Sequence, residues 1–104
     1  ALFAFAGLWE VWHSPEGDEL RTCTIITTEP NDVVSPLHTR MAVILRPDDY
    51  DQWLSPDELP PQALLPLLQP YDADQMDAYE VSTRVNSPAN DNPTLIEPLD
   101  PPLL

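Results

Sequence analysis

The first third of the chain alternates apolar stretches with short polar breaks, a pattern typical of β-strands. Residues 2–12, LFAFAGLWEVW, are almost all apolar or aromatic, and Gly7 interrupts them where a bend is expected. Pro15 and Gly17 mark a turn. Residues 20–29, LRTCTIITTE, have the β-branched content of a returning strand. The pattern therefore predicts a β-hairpin.

Two shorter patterns follow the hairpin. Asn31 precedes DVVSP and is a suitable N-cap for one or two helical turns. Residues 40–45, RMAVIL, form a continuous apolar run after the arginine, which is typical of a strand buried on both faces. We therefore expect a third strand that crosses the core.

Helix signals dominate the second half, but prolines interrupt them. Tyr50, Trp53 and Leu54 follow the i, i+3, i+4 spacing of a short amphipathic helix. Residues 62–71, QALLPLLQPY, predict a helix that is broken inside its leucine-rich run. Residues 76–86, MDAYEVSTRVN, predict a return to strand. The fold class expected from these elements is α+β, β-rich, with short helices between the later strands.

Composition and net charge narrow the range of possible functions. The 104 residues suit one domain, and they hold 18 acidic residues against four arginines and no lysine, for a formal charge of −14. Such a charge opposes general electrostatic attraction to nucleic acid, because phosphate binding normally depends on lysine and arginine. Abundant aspartate without lysine indicates a salt-rich source, in which self-repulsion is screened.

Several classes of site are excluded. Cys23 is the single cysteine, so an internal disulfide and a thiolate metal cluster are both impossible, and the spacing of histidines and carboxylates indicates no metal site. Two glycines leave no phosphate-binding loop, and we expect no cofactor. No apolar run reaches the roughly 18 to 20 residues that span a bilayer, so we expect a cytoplasmic protein that does not contact membranes.

Three residues are candidates for chemistry. Glu10 interrupts an aromatic strand, and apolar surroundings favour the protonated form of a carboxyl, which suits general acid or base work. His38 and Arg40 lie on one face of extended chain, where together they could hold a phosphate or carboxylate. The alternatives are a solvent-facing Glu10, a structural His38 and a surface ion pair for Arg40. Composition does not decide between them.

Five blocks in order resemble the SOS response-associated peptidase (SRAP) family. They are FAFAGLWEVW, TCTIITTEPN, SPLHTRMAVIL, YDQWL and YEVSTRVNSPANDNPTLIEPL, and they extend over about residues 3–99. The resemblance implies a β-rich, barrel-like domain with flanking helices that senses abasic sites in single-stranded DNA. In this family an N-terminal cysteine attacks the ring-opened sugar aldehyde and closes a thiazolidine crosslink between protein and DNA.

The resemblance also implies residue roles. By motif, Glu10 in GLWE matches the catalytic glutamate that shuttles protons, and His38 in HTRM matches the histidine that assists the aldehyde chemistry. Arg40 matches a position near the DNA phosphate. Trp9, Thr27 and Asn31 are expected at the DNA-binding cleft as well. The family's associated functions are autoproteolytic peptidase activity and a role in the SOS response to DNA damage.

The sequence departs from the family pattern in two places, and these departures change what we expect of the chain. The opening Met-Cys-Gly-Arg segment is absent, and Cys23 does not replace its nucleophile because it has no free amine. We therefore expect residues 1–99 to be the C-terminal portion of an SRAP-like domain, with a proline-rich tail at 100–104. Expected partners are abasic single-stranded DNA, and the N-terminal half of the domain or a second copy. Ala42 stands where the family usually has proline.

A non-catalytic alternative also remains open. Fourteen prolines and the ending PLDPPLL are compatible with an acidic protein-interaction module or a degenerate fragment, since preformed extended chain docks readily on aromatic grooves.

Overall fold

The computed structural model describes residues 2–99, so the expected tail at 100–104 lies outside the described residues. Its most regular part is the predicted hairpin, in which β2 (Gly7–His13) pairs antiparallel with β3 (Glu19–Ile25) in a continuous register from Gly7 opposite Ile25 to His13 opposite Glu19. Gly17 closes the turn with φ at 89°, a left-handed conformation that glycine adopts without a steric penalty. The hairpin prediction is confirmed.

The apolar run RMAVIL changes partners in its middle. Its first part, β5 (Met41–Ala42), pairs with β4 (Thr27–Thr28), whereas β6 (Ile44–Leu45) pairs with β1 (Ala4–Phe5). All of these pairs are antiparallel. The predicted third strand is therefore present as two short strands with different neighbours.

A ring of three backbone hydrogen bonds joins the strands where they change partners. The Ala6 amide donates to the Val43 carbonyl (2.8 Å), the Val43 amide to the Ile26 carbonyl (2.9 Å), and the Ile26 amide to the Ala6 carbonyl (2.9 Å). Each residue is the single break between two consecutive strands. Buried amide and carbonyl groups must be paired, and the ring pairs the ones that the ladders leave free.

Short helical segments follow β6. A 3₁₀ turn at Pro47–Asp49 leads into α1 (Tyr50–Trp53), and α2 (Pro61–Leu64) continues as 3₁₀ helix over Leu65–Leu67. Further 3₁₀ turns are Ala73–Gln75, Thr83–Asn86 and Pro93–Ile96. The short helix and the broken leucine-rich helix are thus confirmed, but Leu54 of the predicted apolar stripe lies beyond α1 and is exposed.

The core is small and forms where β6 meets the leucine-rich helix. Ala6, Val43, Leu45 and Leu67 form one buried cluster, and Tyr50, Trp53 and Leu64 pack against it from the helical side. Met41, Ile44 and Leu95 are the remaining buried hydrophobic residues of the described chain. This core holds the base of the hairpin, whereas the arm beyond Gly7 extends away from it.

Two expectations about the sheet are wrong. Within residues 2–99 the strands form three two-stranded ladders and no closed, barrel-like sheet. Residues 76–86 form no strand; they contain the turn Thr83–Asn86, where the Ser82 hydroxyl accepts from the Arg84 amide (3.2 Å). No described strand lies alongside residues 76–86 to pair with them. The described helices therefore follow the last strand, β6, instead of lying between later strands.

Among the described residues, no helix combines the length and apolar character that a membrane crossing requires.

Candidate functional site

Arg40 and Thr27 form the best-connected polar contact among the sequence candidates. Arg40 Nη2 donates to the Thr27 carbonyl (2.9 Å) and to its hydroxyl (3.0 Å), and Nε contacts the same hydroxyl at 3.3 Å. These bonds span the β4–β5 pair, because Thr27 opposes Ala42 in the ladder. Two of the three guanidinium nitrogens are thereby fixed, and among residues 2–99 no hydrogen-bond partner is found for Nη1, whose donors could bind an anion.

The His38 ring lies against the backbone of Arg40. Nδ1 is 3.0 Å from the Arg40 amide nitrogen and 2.9 Å from the Arg40 carbonyl oxygen. A neutral ring with its proton on Nε2 accepts from the amide, whereas a ring protonated on Nδ1 donates to the carbonyl. Either state fixes the ring orientation. Within residues 2–99 no hydrogen-bond partner is found for Nε2 of this exposed ring.

Asn31 has a structural role that sequence reasoning predicted only in part. Its Oδ1 accepts from the amides of Val33 (3.2 Å) and Val34 (3.1 Å), which confirms the capping role at a run of turns. Its Nδ2 also donates to the Tyr71 carbonyl (2.8 Å), forty residues away. Among the described residues, both the oxygen and the nitrogen of the Asn31 side chain are therefore used in hydrogen bonds inside the protein.

Replacing Asn31 is expected to affect stability. Asn31→Ala removes a cap and a long-range hydrogen bond, so we expect it to lower the free energy of unfolding by about 1–2 kcal/mol. The exposed Asn86 lies in a 3₁₀ turn, and Asn86→Ala is the matched control, with an expected change below about 0.5 kcal/mol. Urea titration followed by circular dichroism measures both. Equal changes in the two variants would contradict the structural role.

Glu10 and Trp9 lie in β2 of the hairpin. As neighbours in β2 they point to opposite faces, with Glu10 opposite Thr22 and Trp9 opposite Cys23. Both side chains are exposed, so the described residues do not supply the apolar enclosure that was expected around Glu10.

Within residues 2–99, hydrogen bonds join some of the candidates to one another. Thr27, His38 and Arg40 form one cluster, and Asn31 joins its border through a 3.3 Å contact from its amide to the Met41 sulfur. Glu10 and Trp9 belong to the hairpin arm. Within the part of the chain that is described, no group of three or more histidine, cysteine or carboxylate side chains could hold a metal ion.

A cleft at the base of the hairpin was not predicted from the sequence. Trp53 donates from its indole Nε1 to the Gly7 carbonyl (3.3 Å), which ties α1 to β2. The resulting cleft has a volume of about 390 Å³ and is lined by Gly7, Leu8, Trp9, Trp53, Leu54, Ser55, Pro56 and Leu64. Helical periodicity placed Trp53 on a buried stripe, but no local signal indicated Gly7 as its partner.

Sequence comparison identifies the class of protein. The pattern of the family described as SOS response associated peptidase (SRAP) matches residues 1–88, and the chain belongs to this family. The fold is also similar to a solved one: a crystal structure of a protein from Bacteroides thetaiotaomicron superposes with a TM-score of 0.80 at 31% identity, covering 93% of this chain and 43% of that one.

Named relatives come from bacteria and vertebrates. The chain is 57% identical over 96 residues to abasic site processing protein YoqW of Bacillus subtilis, covering 92% of this chain and 43% of that protein. It is 38% identical over 101 residues to abasic site processing protein HMCES of Gallus gallus, covering 95% of this chain and 30% of that protein. The chain thus spans less than half the length of these relatives.

Proposed function

We propose that this chain is part of a protein that binds single-stranded DNA at abasic sites and forms a thiazolidine crosslink with the sugar aldehyde. The reacting N-terminal cysteine is supplied by sequence outside these 104 residues, and the chain is the C-terminal portion of the domain. Autoproteolytic peptidase activity and a role in the SOS response accompany this function. The observation that carries the proposal is the Thr27–His38–Arg40 cluster within the region that matches the family.

The chemistry requires proton transfers that His38 is suited to perform. The α-amino group of the cysteine adds to the aldehyde carbon, and loss of water then gives an imine. The thiolate adds to the imine carbon, and the nitrogen takes up a proton as the ring closes. With Nδ1–H donating to the Arg40 carbonyl, Nε2 can accept the proton that the amine loses on addition and then deliver it to the departing hydroxyl.

Arg40 is suited to hold the phosphate next to the abasic sugar. Thr27 fixes one edge of the guanidinium, and the donors of Nη1 remain for a phosphate oxygen. The net charge of −14 gives this chain no general attraction for DNA. Binding would then depend on this local cation and on the covalent step, and it would tolerate high salt better than binding to a broad basic surface.

Replacement of Arg40 tests the phosphate contact. Arg40→Gln is expected to weaken binding and to reduce the slope of log affinity against log salt by about 0.7, the value for one phosphate contact on a single strand. Fluorescence anisotropy with an intact oligonucleotide measures the non-covalent step alone, because that DNA carries no aldehyde. The protein is the full reading frame that encodes this chain.

The matched control is Arg84→Gln, which makes the same change of charge in the exposed turn Thr83–Asn86. We expect it to leave the salt slope unchanged. If the two variants reduce affinity and slope equally, the effect of Arg40 is one of net charge, and the phosphate contact is refuted.

Glu10 enters the proposal as a second proton shuttle, on the strength of its motif alone. Its exposed position on the hairpin means that any enclosure must come from residues outside the described chain. A catalytic Glu10 predicts that Glu10→Gln slows adduct formation without changing stability.

A further inference from the structure

Both methionines of the chain place their sulfur atoms against Asn31. The Asn31 backbone nitrogen lies 3.3 Å from Met41 Sδ, and its side-chain Nδ2 lies 3.2 Å from Met76 Sδ. The sequence holds two methionines, so this thioether cluster of Asn31, Met41 and Met76 contains every thioether of the chain. A thioether is a weak acceptor, and these contacts add little stability while the sulfurs stay reduced. Their importance lies in the fact that sulfur can be oxidised.

The two sulfurs differ in their access to an oxidant. Met41 is 7% exposed and lies in β5, whereas Met76 is partly exposed and ends the 3₁₀ turn Ala73–Gln75. Hydrogen peroxide converts a thioether to a sulfoxide: one oxygen atom is transferred to the sulfur, which gives up two electrons, and the rest of the peroxide leaves as water. We therefore expect Met76 to react before Met41.

A sulfoxide does not fit where the Met76 thioether lies. Asn31 Nδ2 is held between the Tyr71 carbonyl at 2.8 Å and the Met76 sulfur. An N–H···O hydrogen bond is itself about 2.9 Å long, so an oxygen bonded to the sulfur cannot enter the 3.2 Å between Nδ2 and Sδ unless one of the two side chains moves. The oxygen is also a stronger acceptor than the thioether, and it competes with the Tyr71 carbonyl for the Asn31 amide. Oxidation of Met76 thus disturbs the position of Asn31.

Asn31 is connected to His38 by two successive hydrogen bonds. Asn31 Oδ1 accepts from the Val34 amide (3.1 Å), and the Val34 carbonyl accepts from the His38 amide (2.9 Å). The contact of the Asn31 amide with Met41 adds a second connection, because Met41 directly follows Arg40. A displaced Asn31 therefore displaces the segment 31–38 that carries His38.

We propose that Met76 is an oxidation-sensitive positioning residue: a peroxide converts its thioether to the sulfoxide, which displaces Asn31 and misplaces His38. The reduced thioether keeps the segment 31–38 in place, and the sulfoxide slows crosslink formation. Methionine sulfoxide reductases reverse the change. The consequence for crosslinking rests on the proposed function, whereas the displacement of His38 is measurable without DNA.

The test uses the full reading frame that encodes this chain, treated first with hydrogen peroxide and then with dithiothreitol, which recovers reversibly oxidised thiols. Peptide mass spectrometry should find the added oxygen on Met76 before Met41. The His38 ring signals in the NMR spectrum, identified by their loss in His38→Ala, should shift, and the urea midpoint should fall. Adduct formation with an abasic oligonucleotide should slow by about tenfold or more, because small misplacements of a reacting group are costly. Methionine sulfoxide reductase should restore all three readouts.

A matched pair of variants isolates the effect of Met76. Leucine has a volume similar to that of methionine but takes up no oxygen, so Met76→Leu should abolish the response to peroxide when each variant is compared with its own untreated sample. Met41→Leu should retain the response, because the buried sulfur reacts later.

Three results would overturn the proposal. They are oxidation of Met41 before Met76, unmoved His38 signals once Met76 is oxidised, and an equal response in Met76→Leu. If the untreated protein forms no adduct, the proposed function fails, and the His38 signals still decide whether Met76 positions this ring.

Discussion

Leu45→Ala lowers the free energy of unfolding by about 2–5 kcal/mol, the range for truncating a buried leucine. Leu45 is 3% exposed and belongs to the cluster with Ala6, Val43 and Leu67. Few other buried side chains in the described residues can compensate for the cavity. Since domains of this size have total stabilities of about 5–15 kcal/mol, the loss is a large fraction of the whole.

Thermal denaturation measures this effect, and the expected fall in Tm is at least about 8 °C, because 1 kcal/mol corresponds to roughly 4–8 °C in a small domain. Leu54→Ala is the matched control: Leu54 is 76% exposed, so its truncation should change the stability by less than about 0.5 kcal/mol. A similar loss in both variants would show that the core is not where β6 meets the leucine-rich helix.

His38→Ala is the substitution with the largest expected effect on chemistry. If Nε2 transfers the protons of imine formation and ring closure, its loss slows adduct formation by about 100-fold or more, the usual range for a general acid or base. The ring is exposed and its Nδ1 contacts only the backbone of Arg40, so stability should change little. Timed quenching of the reaction with abasic oligonucleotide gives the rate.

The second histidine of the chain provides the control. His13→Ala changes an exposed ring at the end of β2, 4.0 Å from Glu19, and should leave the rate unchanged. Equal rates for wild type and His38→Ala would refute the catalytic assignment. In the same assay, Glu10→Gln decides the second proton shuttle: an unchanged rate would make Glu10 a surface residue of the hairpin.

Local signals made the hairpin predictable from the sequence. The β-branched run of β3 and the glycine of the turn each favour the observed structure without help from distant residues, and Gly17 adopts the positive φ that the turn requires. The broken helix at Pro66 was predictable for the same reason, because proline removes a backbone donor inside the helix.

Long-range pairing could not be read from the sequence. Residues 76–86 have strand-forming composition, but a strand also needs a partner, and none of the described residues provides one. The sequence correctly placed the apolar run RMAVIL in the core. Nothing in its residue pattern indicated that this run changes its strand partner at Val43. Helical periodicity likewise placed Leu54 on the same apolar stripe as Trp53, although Leu54 is exposed in the structure.

The candidate site, too, was predictable from local sequence only in part. The spacing of His38 and Arg40 suggested that the two side chains share one face; the structure shows the His38 ring against the Arg40 backbone, and a joint role in binding an anion stays a prediction. The contact of Arg40 with Thr27 depends on the pairing of β4 with β5, which local sequence does not specify. Glu10 shares a motif resemblance with these residues and lies in β2 of the hairpin, and its role stays a prediction.

The most direct test of the account is covalent capture of an abasic site. The full reading frame that encodes this chain is incubated with a single-stranded oligonucleotide containing one abasic site, at salt concentrations up to about 1 M, and the products are separated on a denaturing gel. We predict a heat-stable adduct that is absent with intact DNA and absent when the N-terminal cysteine is replaced by serine. No adduct at any salt concentration would contradict the account and favour a non-catalytic interaction module.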